Sequence, residues 1–173
     1  MNLTRHHALA LLLTAIVASP CADLSAARLD VIEVQSVKLQ GNPLGDPARR
    51  RIAVFAPDHA KKDAPLPLVI YLPGWGGSSE DAIAQGSGGW IGRATDQLAS
   101  TGLPVRIAVV DGRSRYGGSQ FLNSSATGDY ADYVAEEITA AVEAHHPIAK
   151  DAAFPRIIAG HSSGGYGALM LAM

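Results

Sequence analysis

Ser162 stands two residues after Gly160 and two before Gly164, in the run Ala-Gly-His-Ser-Ser-Gly-Gly-Tyr-Gly over residues 159–167. A serine hydroxyl that attacks a carbonyl must project from a sharp, strained turn between a strand and a helix. Side chains two positions to either side would collide with neighbouring backbone, so glycine is needed there. Gly160 and Gly164 meet that need, which makes Ser162 the candidate nucleophile. The Ser163 amide then falls at the start of the next helix, where unpaired N–H groups and the positive end of the dipole can hold a developing oxyanion.

The spacing alone is weak. With glycine and serine each near 7% of residues, a bare Gly-x-Ser-x-Gly arises by chance in on the order of one chain in twenty of this length, and this chain is glycine-rich. Context lifts it. The apolar run Arg156 to Ala159 precedes the turn, Gly165 adds a second small residue, and Tyr166 to Met173 can continue as a helix.

Two further stretches could carry chemistry, because ligands in open α/β sheets bind beyond the carboxyl ends of the strands. Pro73-Gly74-Trp75-Gly76-Gly77 follows the apolar run Leu66 to Leu72. Its glycines allow close backbone approach to a substrate, and the Trp75 amide is a candidate second oxyanion donor. The competing reading is an ordinary glycine turn with Trp75 as a packing residue. Asp111-Gly112-Arg113 follows Val105 to Val110; Asp111 resembles a catalytic acid, but a structural role is expected, capping the loop or pairing with Arg113 or Arg115. Trp75, Trp90 and Tyr116 could line a cleft for sugars or phenolic acids, or simply pack. No histidine is well placed as the base. His6 and His7 lie in the amino-terminal segment, His59 in a charged loop, His145 and His146 at a helix end, and His161 must point away from its neighbour Ser162.

The elements that must position these residues follow from hydrophobic periodicity. Val31 to Leu39 and Arg51 to Ala56 are rich in β-branched residues and separated by turn formers over residues 41–47, which predicts two antiparallel strands. Leu66 to Leu72, Val105 to Val110 and Arg156 to Ala159 are nearly continuous apolar runs, the mark of parallel strands covered on both faces. Between them, Trp90 to Ser100 places Ile91, Ala94, Thr95, Leu98 and Ala99 on one helical face and stops at Gly102. Asp129 to His145 does the same with Tyr130, Tyr133, Val134, Ile138, Ala141 and Val142, and stops at Pro147. The alternation predicts an α/β fold with a mainly parallel sheet and flanking helices.

The 173 residues, 47% apolar, are enough for one core, and a net charge of −2 argues against nucleic acid or an anionic membrane surface as partner. Arg5 precedes an apolar run from Ala8 to Ala18, too short to span a bilayer, with small residues after it. That predicts a secretory signal peptide over 1–27, with Ser25-Ala26-Ala27 as one cleavage site, and a folded domain over 28–173. The reading places the protein in the periplasm or outside the cell. Cys21 is the only cysteine, so no internal disulfide can form, and Pro20 immediately before it argues against lipid anchoring there.

Four motifs in order carry a resemblance: Leu72-Pro73-Gly74-Trp75-Gly76-Gly77; Val110-Asp111-Gly112-Arg113; Phe121-Leu122-Asn123-Ser124 with Thr127-Gly128-Asp129-Tyr130; and residues 159–169 around Ser162. Together they resemble the esterase family of the α/β-hydrolase fold that includes esterase D, enterochelin esterases, feruloyl and acetylxylan esterases and the mycolyltransferases. The resemblance implies a serine carboxylic-ester hydrolase acting through an acyl-enzyme on Ser162. It implies oxyanion donors at Trp75 and Ser163, a small-molecule or carbohydrate-linked ester as substrate, and no metal or organic cofactor. Pro73 stands where many members have histidine.

In that fold the triad acid and histidine follow the elbow by many residues, and here eleven residues follow Ser162. The sequence is therefore expected to be the amino-terminal part of a longer enzyme, with Arg156 to Ala159 an unpaired apolar edge. Loss of the histidine in a comparable triad costs about a millionfold in turnover, so these residues alone are expected to be nearly inactive. Acyl transfer to a sugar or alcohol, and a non-catalytic binding protein or fragment on the same scaffold, remain as alternatives.

Overall fold

The computed structural model describes residues 26–173; of the leader reading over 1–27, residues 1–25, with Cys21, His6 and His7, lie outside the described residues. The first four strands are β1 (Arg28–Gln35), β2 (Arg49–Ala56), β3 (Leu68–Leu72) and β4 (Arg106–Val109). Helices α1 (Ser79–Gln85) and α2 (Trp90–Ser100) lie between β3 and β4. A two-stranded ribbon of β5 (Asn123–Ser124) and β6 (Gly128–Asp129) leads into a long helical segment over residues 130–145, α3. Then come β7 (Arg156–Gly160) and α4 (Ser163–Ala172).

The main sheet has the order β1-β2-β4-β3-β7. β1 pairs with β2, and β2 with β4, antiparallel; β3 is flanked by β4 and β7, both parallel to it. The sheet is thus mixed, with its parallel half carrying the candidate chemistry. Period-two alternation sends residues to two cores. Ile52, Val54, Leu68, Ile70, Leu72, Ala108 and Val110 meet Tyr130, Tyr133, Val134, Ile138 and Val142 of α3 and Ala168 of α4. Ala53, Phe55, Ile107 and Val109 meet Ala82 of α1 and Ile91 of α2 on the other face. Ala27 joins this second core at 1% exposure, its amide donating to Asp96 Oδ2 at 2.7 Å.

α3 buries the expected face, with a local change of pitch. Tyr133–Ile138 is π-helical between two α-helical pieces, Tyr130–Asp132 and Thr139–His145. Residues 130, 134, 138 and 142 recur every four, and in a pure α-helix that spacing drifts by roughly 40° per step. The wider π turn absorbs the drift and keeps all four in the core. α2 falls short of its expected stripe: Ile91 and Thr95 are buried, but Leu98 is 36% exposed. α1 was not anticipated. It starts on a capping box in which the Ser78 hydroxyl accepts from the Asp81 amide and Asp81 Oδ2 accepts from the Ser78 amide at 2.8 Å.

Asp111 has the expected structural role with a different partner. Its Oδ1 caps the Arg113 amide at 3.1 Å, while Oδ2 pairs at 3.2 Å with Arg50 of β2, not with the Arg113 or Arg115 side chain. Arg50 also donates to the Arg113 carbonyl at 2.9 Å and to the Tyr130 hydroxyl at 3.1 Å, and that hydroxyl donates to Asp46 Oδ2 at 3.0 Å. Burial raises the Tyr130 pKa well above its ordinary value, so the phenol stays protonated. The sequence spacing could not reveal this pair, because Arg50 and Asp111 meet only through the β2–β4 register.

Among the described residues β7 has one strand neighbour, β3, which agrees with an edge at this position. Ile157 on β7 is 38% exposed, and Tyr166, Leu169 and Met170 of α4 are exposed beside it.

The Arg50–Asp111 pair is nearly buried on both sides, with side-chain exposures of 5% and 11%. Asp111→Ala leaves the guanidinium uncompensated and is expected to cost about 3–5 kcal/mol. Urea denaturation of the variant beside the wild type measures it.

Candidate active site

β3 and β7 run parallel, with Leu72 opposite Gly160 in the register. The loop after one and the turn after the other therefore emerge side by side at the same end of the sheet. Ser162 sits between β7 and α4 with φ 53° and ψ −126°, a backbone state that costs a non-glycine residue about 1–3 kcal/mol. Its hydroxyl has no hydrogen-bond partner among the described residues, and its surface is exposed.

The flanking glycines are fixed by contact. A Cβ on Gly164 would overlap the Leu72 carbonyl oxygen and stand 2.5 Å from that of Pro73. A Cβ on Gly160 would overlap the Gly164 carbonyl and stand 2.8 Å from Leu72 O. Gly165 is under less constraint, its nearest neighbour being Gly160 O at 3.3 Å from a Cβ position. α4 can begin against the end of β3 only because residues 160 and 164 carry no side chain.

The Pro73–Gly77 loop is pinned around Trp75. The Gly76 amide donates to Gly117 O at 3.0 Å and the Gly77 amide to Gly74 O at 3.0 Å. Arg113 Nη2 donates to Gly76 O at 2.7 Å and pairs with Asp81 at 2.8 Å. The Trp75 indole lies on the backbone of Gly117 and Gly118, where a Cβ would come within 2.7 and 2.8 Å of it. Trp75 therefore packs on one face while 53% of it stays exposed, and among the described residues neither the Trp75 nor the Ser163 N–H has an acceptor. Both amides, at the ends of adjoining strands, are thus free to donate.

No described histidine meets Ser162. His161 turns the other way: its ring stacks on Tyr71 with an interplanar angle of 15°, and Nδ1 lies 2.6 Å from the Tyr71 hydroxyl. Burial raises the Tyr71 pKa, so the phenol keeps its proton and shares this hydrogen bond with Nδ1 in either tautomer. Nε2 faces Gly74, where a Cβ would stand 2.8 Å from it. His161 thus supports the loop from beneath. His145 contacts the Ala141 carbonyl at 2.8 Å and His146 contacts Arg106 at 3.2 Å, at the opposite end of the sheet; His59 is in the loop after β2 at that same end. Of the other aromatics, Trp90 packs edge-on against Tyr71 at 5.2 Å, and Tyr116 is exposed. The sequence reading missed Arg113 as the loop's anchor; its signal was a basic residue four positions after the end of β4.

A family model described as "Putative esterase" matches residues 47–173. Among solved structures, an S-formylglutathione hydrolase from Agrobacterium tumefaciens is similar at 23% identity and TM-score 0.59, covering 85% of this chain and 53% of that one. A ferulic acid esterase from Anaeromyces mucronatus, solved with ferulic acid, is similar at 14% identity and TM-score 0.56, covering 83% and 52%. The feruloyl esterase module from Clostridium thermocellum, solved with sinapinate, is similar at 11% identity and TM-score 0.59, covering 85% and 50%. The chain thus spans about half the length of these structures, and the likeness is one of α/β-hydrolase fold. No curated protein matches the chain.

The two glycines after the serine are expected to part company on substitution. Gly165→Ala sets a tight contact of 3.3 Å with the Gly160 carbonyl oxygen against a gain of about 1 kcal/mol in helix propensity, and should change the unfolding midpoint by only a few degrees. Gly164→Ala drives a methyl into the Leu72 carbonyl and should lower thermal stability severely or prevent folding. Circular dichroism melts of the two variants make the comparison.

Proposed function

The chain belongs to the esterase family, and from that membership we propose that it carries the nucleophile half of a serine carboxylic-ester hydrolase. The observation that supports this most is the strained Ser162 backbone between Gly160 and Gly164, beside the unpaired amides of Trp75 and Ser163. In this reading Ser162 Oγ bonds to the ester carbonyl carbon. The carbonyl oxygen takes the electron pair as an oxyanion held by the two amides, and the serine proton passes to a histidine. Collapse expels the alcohol with that proton and leaves an acyl-Ser162. Water then attacks the acyl carbon, and its proton restores the serine.

The histidine and its orienting acid are assigned to the part of the fold that these residues do not span. Three observations support that assignment: coverage of about half of the similar structures, the absence of a histidine at Ser162 among the described residues, and the single neighbour of β7. Without those partners Ser162 retains only what the oxyanion hole and binding supply, about 10³–10⁴ over water. The substrate is proposed to be a small-molecule or carbohydrate-linked ester.

The protein is further proposed to be exported, with its leader removed on the amino side of Ala27. Ala27 is part of a core, and its nitrogen is held by Asp96; a cut between Ala26 and Ala27 would leave an α-ammonium on that carboxylate. No helix among the described residues is long and apolar enough to cross a membrane.

Two experiments test these readings. A fluorophosphonate probe applied to the complete protein should label Ser162 and fail with Ser162→Ala; labelling that survives the substitution overturns the nucleophile. Intact mass of protein exported from a Gram-negative host with its own leader should place the mature start at or before Ala27. A start at Arg28, as the leader bounds 1–27 would give, or later overturns the cut before Ala27, and retention in the cytoplasm with Met1 in place overturns the export reading.

A further inference from the structure

The opposite end of the sheet holds a buried cation without a counter-ion. Arg106, the first residue of β4, is 2% exposed and forms no ion pair among the described residues. Its Nη1 meets His146 Nδ1 at 3.2 Å and its Nη2 the Ala64 carbonyl at 3.3 Å, and Nε has no partner. His146, 7% exposed, also has an unpartnered nitrogen: Nε2 stands 3.5 Å from Asp30 Oδ2, too far for a direct hydrogen bond. Burying a guanidinium is costly unless an anion or a full set of acceptors accompanies it.

Arg106 and His146 face an open cavity of about 370 Å³ that Arg28, Asp30 and Lys62 also line. Arg28 Nη1 donates to the carbonyls of Asp58 at 3.0 Å and Ala60 at 2.5 Å, which ties the loop bearing Lys62 over the cavity. Three cations against one carboxylate leave the lining positive.

We propose that this cavity is a binding site for a small oxyanion of the phosphate or carboxylate type, with Arg106 as its principal ligand and Lys62 as a cation at its rim. A guanidinium fork matches the geometry of such oxyanions, and Lys62 adds a mobile point charge. Binding is reversible and makes no covalent bond. The site is independent of Ser162: Arg106 pairs with Leu68 at the start of β3, and the elbow adjoins Leu72 at its end.

The site should respond to pH through His146. Burial and then Arg106 hold its pKa below the ordinary histidine value, with His145 and Lys62 adding to the depression and Asp30 opposing it; Arg28 lowers and Asp30 and Asp63 raise the pKa of Arg106 itself. An anion in the cavity favours the imidazolium, so binding takes up a proton and tightens as pH falls.

Isothermal titration calorimetry of the full chain with sodium sulfate, at ionic strength fixed with sodium chloride, tests the proposal. Sulfate keeps its charge across the range, so tighter binding at about pH 6 than at about pH 8 reports the histidine. Arg106→Met, of similar volume, should weaken binding by roughly tenfold or more, and Lys62→Glu should weaken it comparably. Ser162→Ala should bind sulfate as the wild type does, which separates this site from the ester reading. Parallel titrations with inorganic phosphate and acetate assign the natural ligand to the tetrahedral or the carboxylate class. No saturable binding of any of the three anions overturns the site. So does binding unchanged in Arg106→Met, or in Lys62→Glu should the Arg106 variant not fold.

Discussion

The whole candidate site depends on one close approach, the Gly164 backbone against the carbonyl oxygen of Leu72. It sets the start of α4 against the end of β3 and so determines how near the serine turn comes to the Pro73–Gly77 loop. The same approach holds Ser162 in its unfavourable backbone state, at about 1–3 kcal/mol. Five register pairs between β3 and β7 oppose that strain, with ladder hydrogen bonds worth about 0.5–1.5 kcal/mol each net. Ala168 buried from α4 adds to them. The strain is affordable because the strand pairing on one side of the turn and the helix packing on the other are both already in place.

Support for the neighbouring loop is of a different kind. Apolar burial positions the strands, but the Pro73–Gly77 segment is fixed by polar contacts that converge on Gly76: one from the Gly117 carbonyl, one from Arg113. Arg113 is in turn held by Asp111, whose charge is matched by Arg50. This chain of contacts satisfies the residues on both sides of Trp75 and leaves its amide unbonded. Below the loop, the Tyr71–His161 pair fills the space that a side chain at Gly74 would need. The histidine next to the serine therefore acts on architecture, through its contact with the loop.

Much of this was legible in the sequence because the physics involved is local or periodic. The bounds Trp90–Ser100 were readable to the residue, though its stripe is only partly buried, and the face of α3 was readable from the helical spacing of its apolar residues. The elbow glycines were readable because a sterically forced position admits only one residue type. What stayed hidden depends on register. Arg50 finding Asp111, and Arg113 finding Gly76, require knowing that β2 lies beside β4 and that two loops share one end of the sheet. The π-helical turn was hidden too, since a spacing of four residues is compatible with a slightly drifting α-helix. The small helix α1 had a visible signal, Ser78 and Asp81 in capping-box spacing, in a stretch too short and polar to show periodicity.

The β3–β7 pairing also bears on the order in which the molecule assembles. β1 and β2 meet across the loop 36–48, a pairing far more local than that of β3 with β7 and with less loop-closure entropy to overcome. Leu68 and Arg156 meet only after most of the described chain has been drawn together, with α1, α2, β4 and α3 lying between them in sequence. A long-range parallel pairing of that kind repays its loop-closure entropy late. Since that pairing is what holds Ser162 in its strained state, the geometry belongs to the finished sheet rather than to the residues around the serine. A peptide spanning residues 156–173 alone would have the motif without the turn.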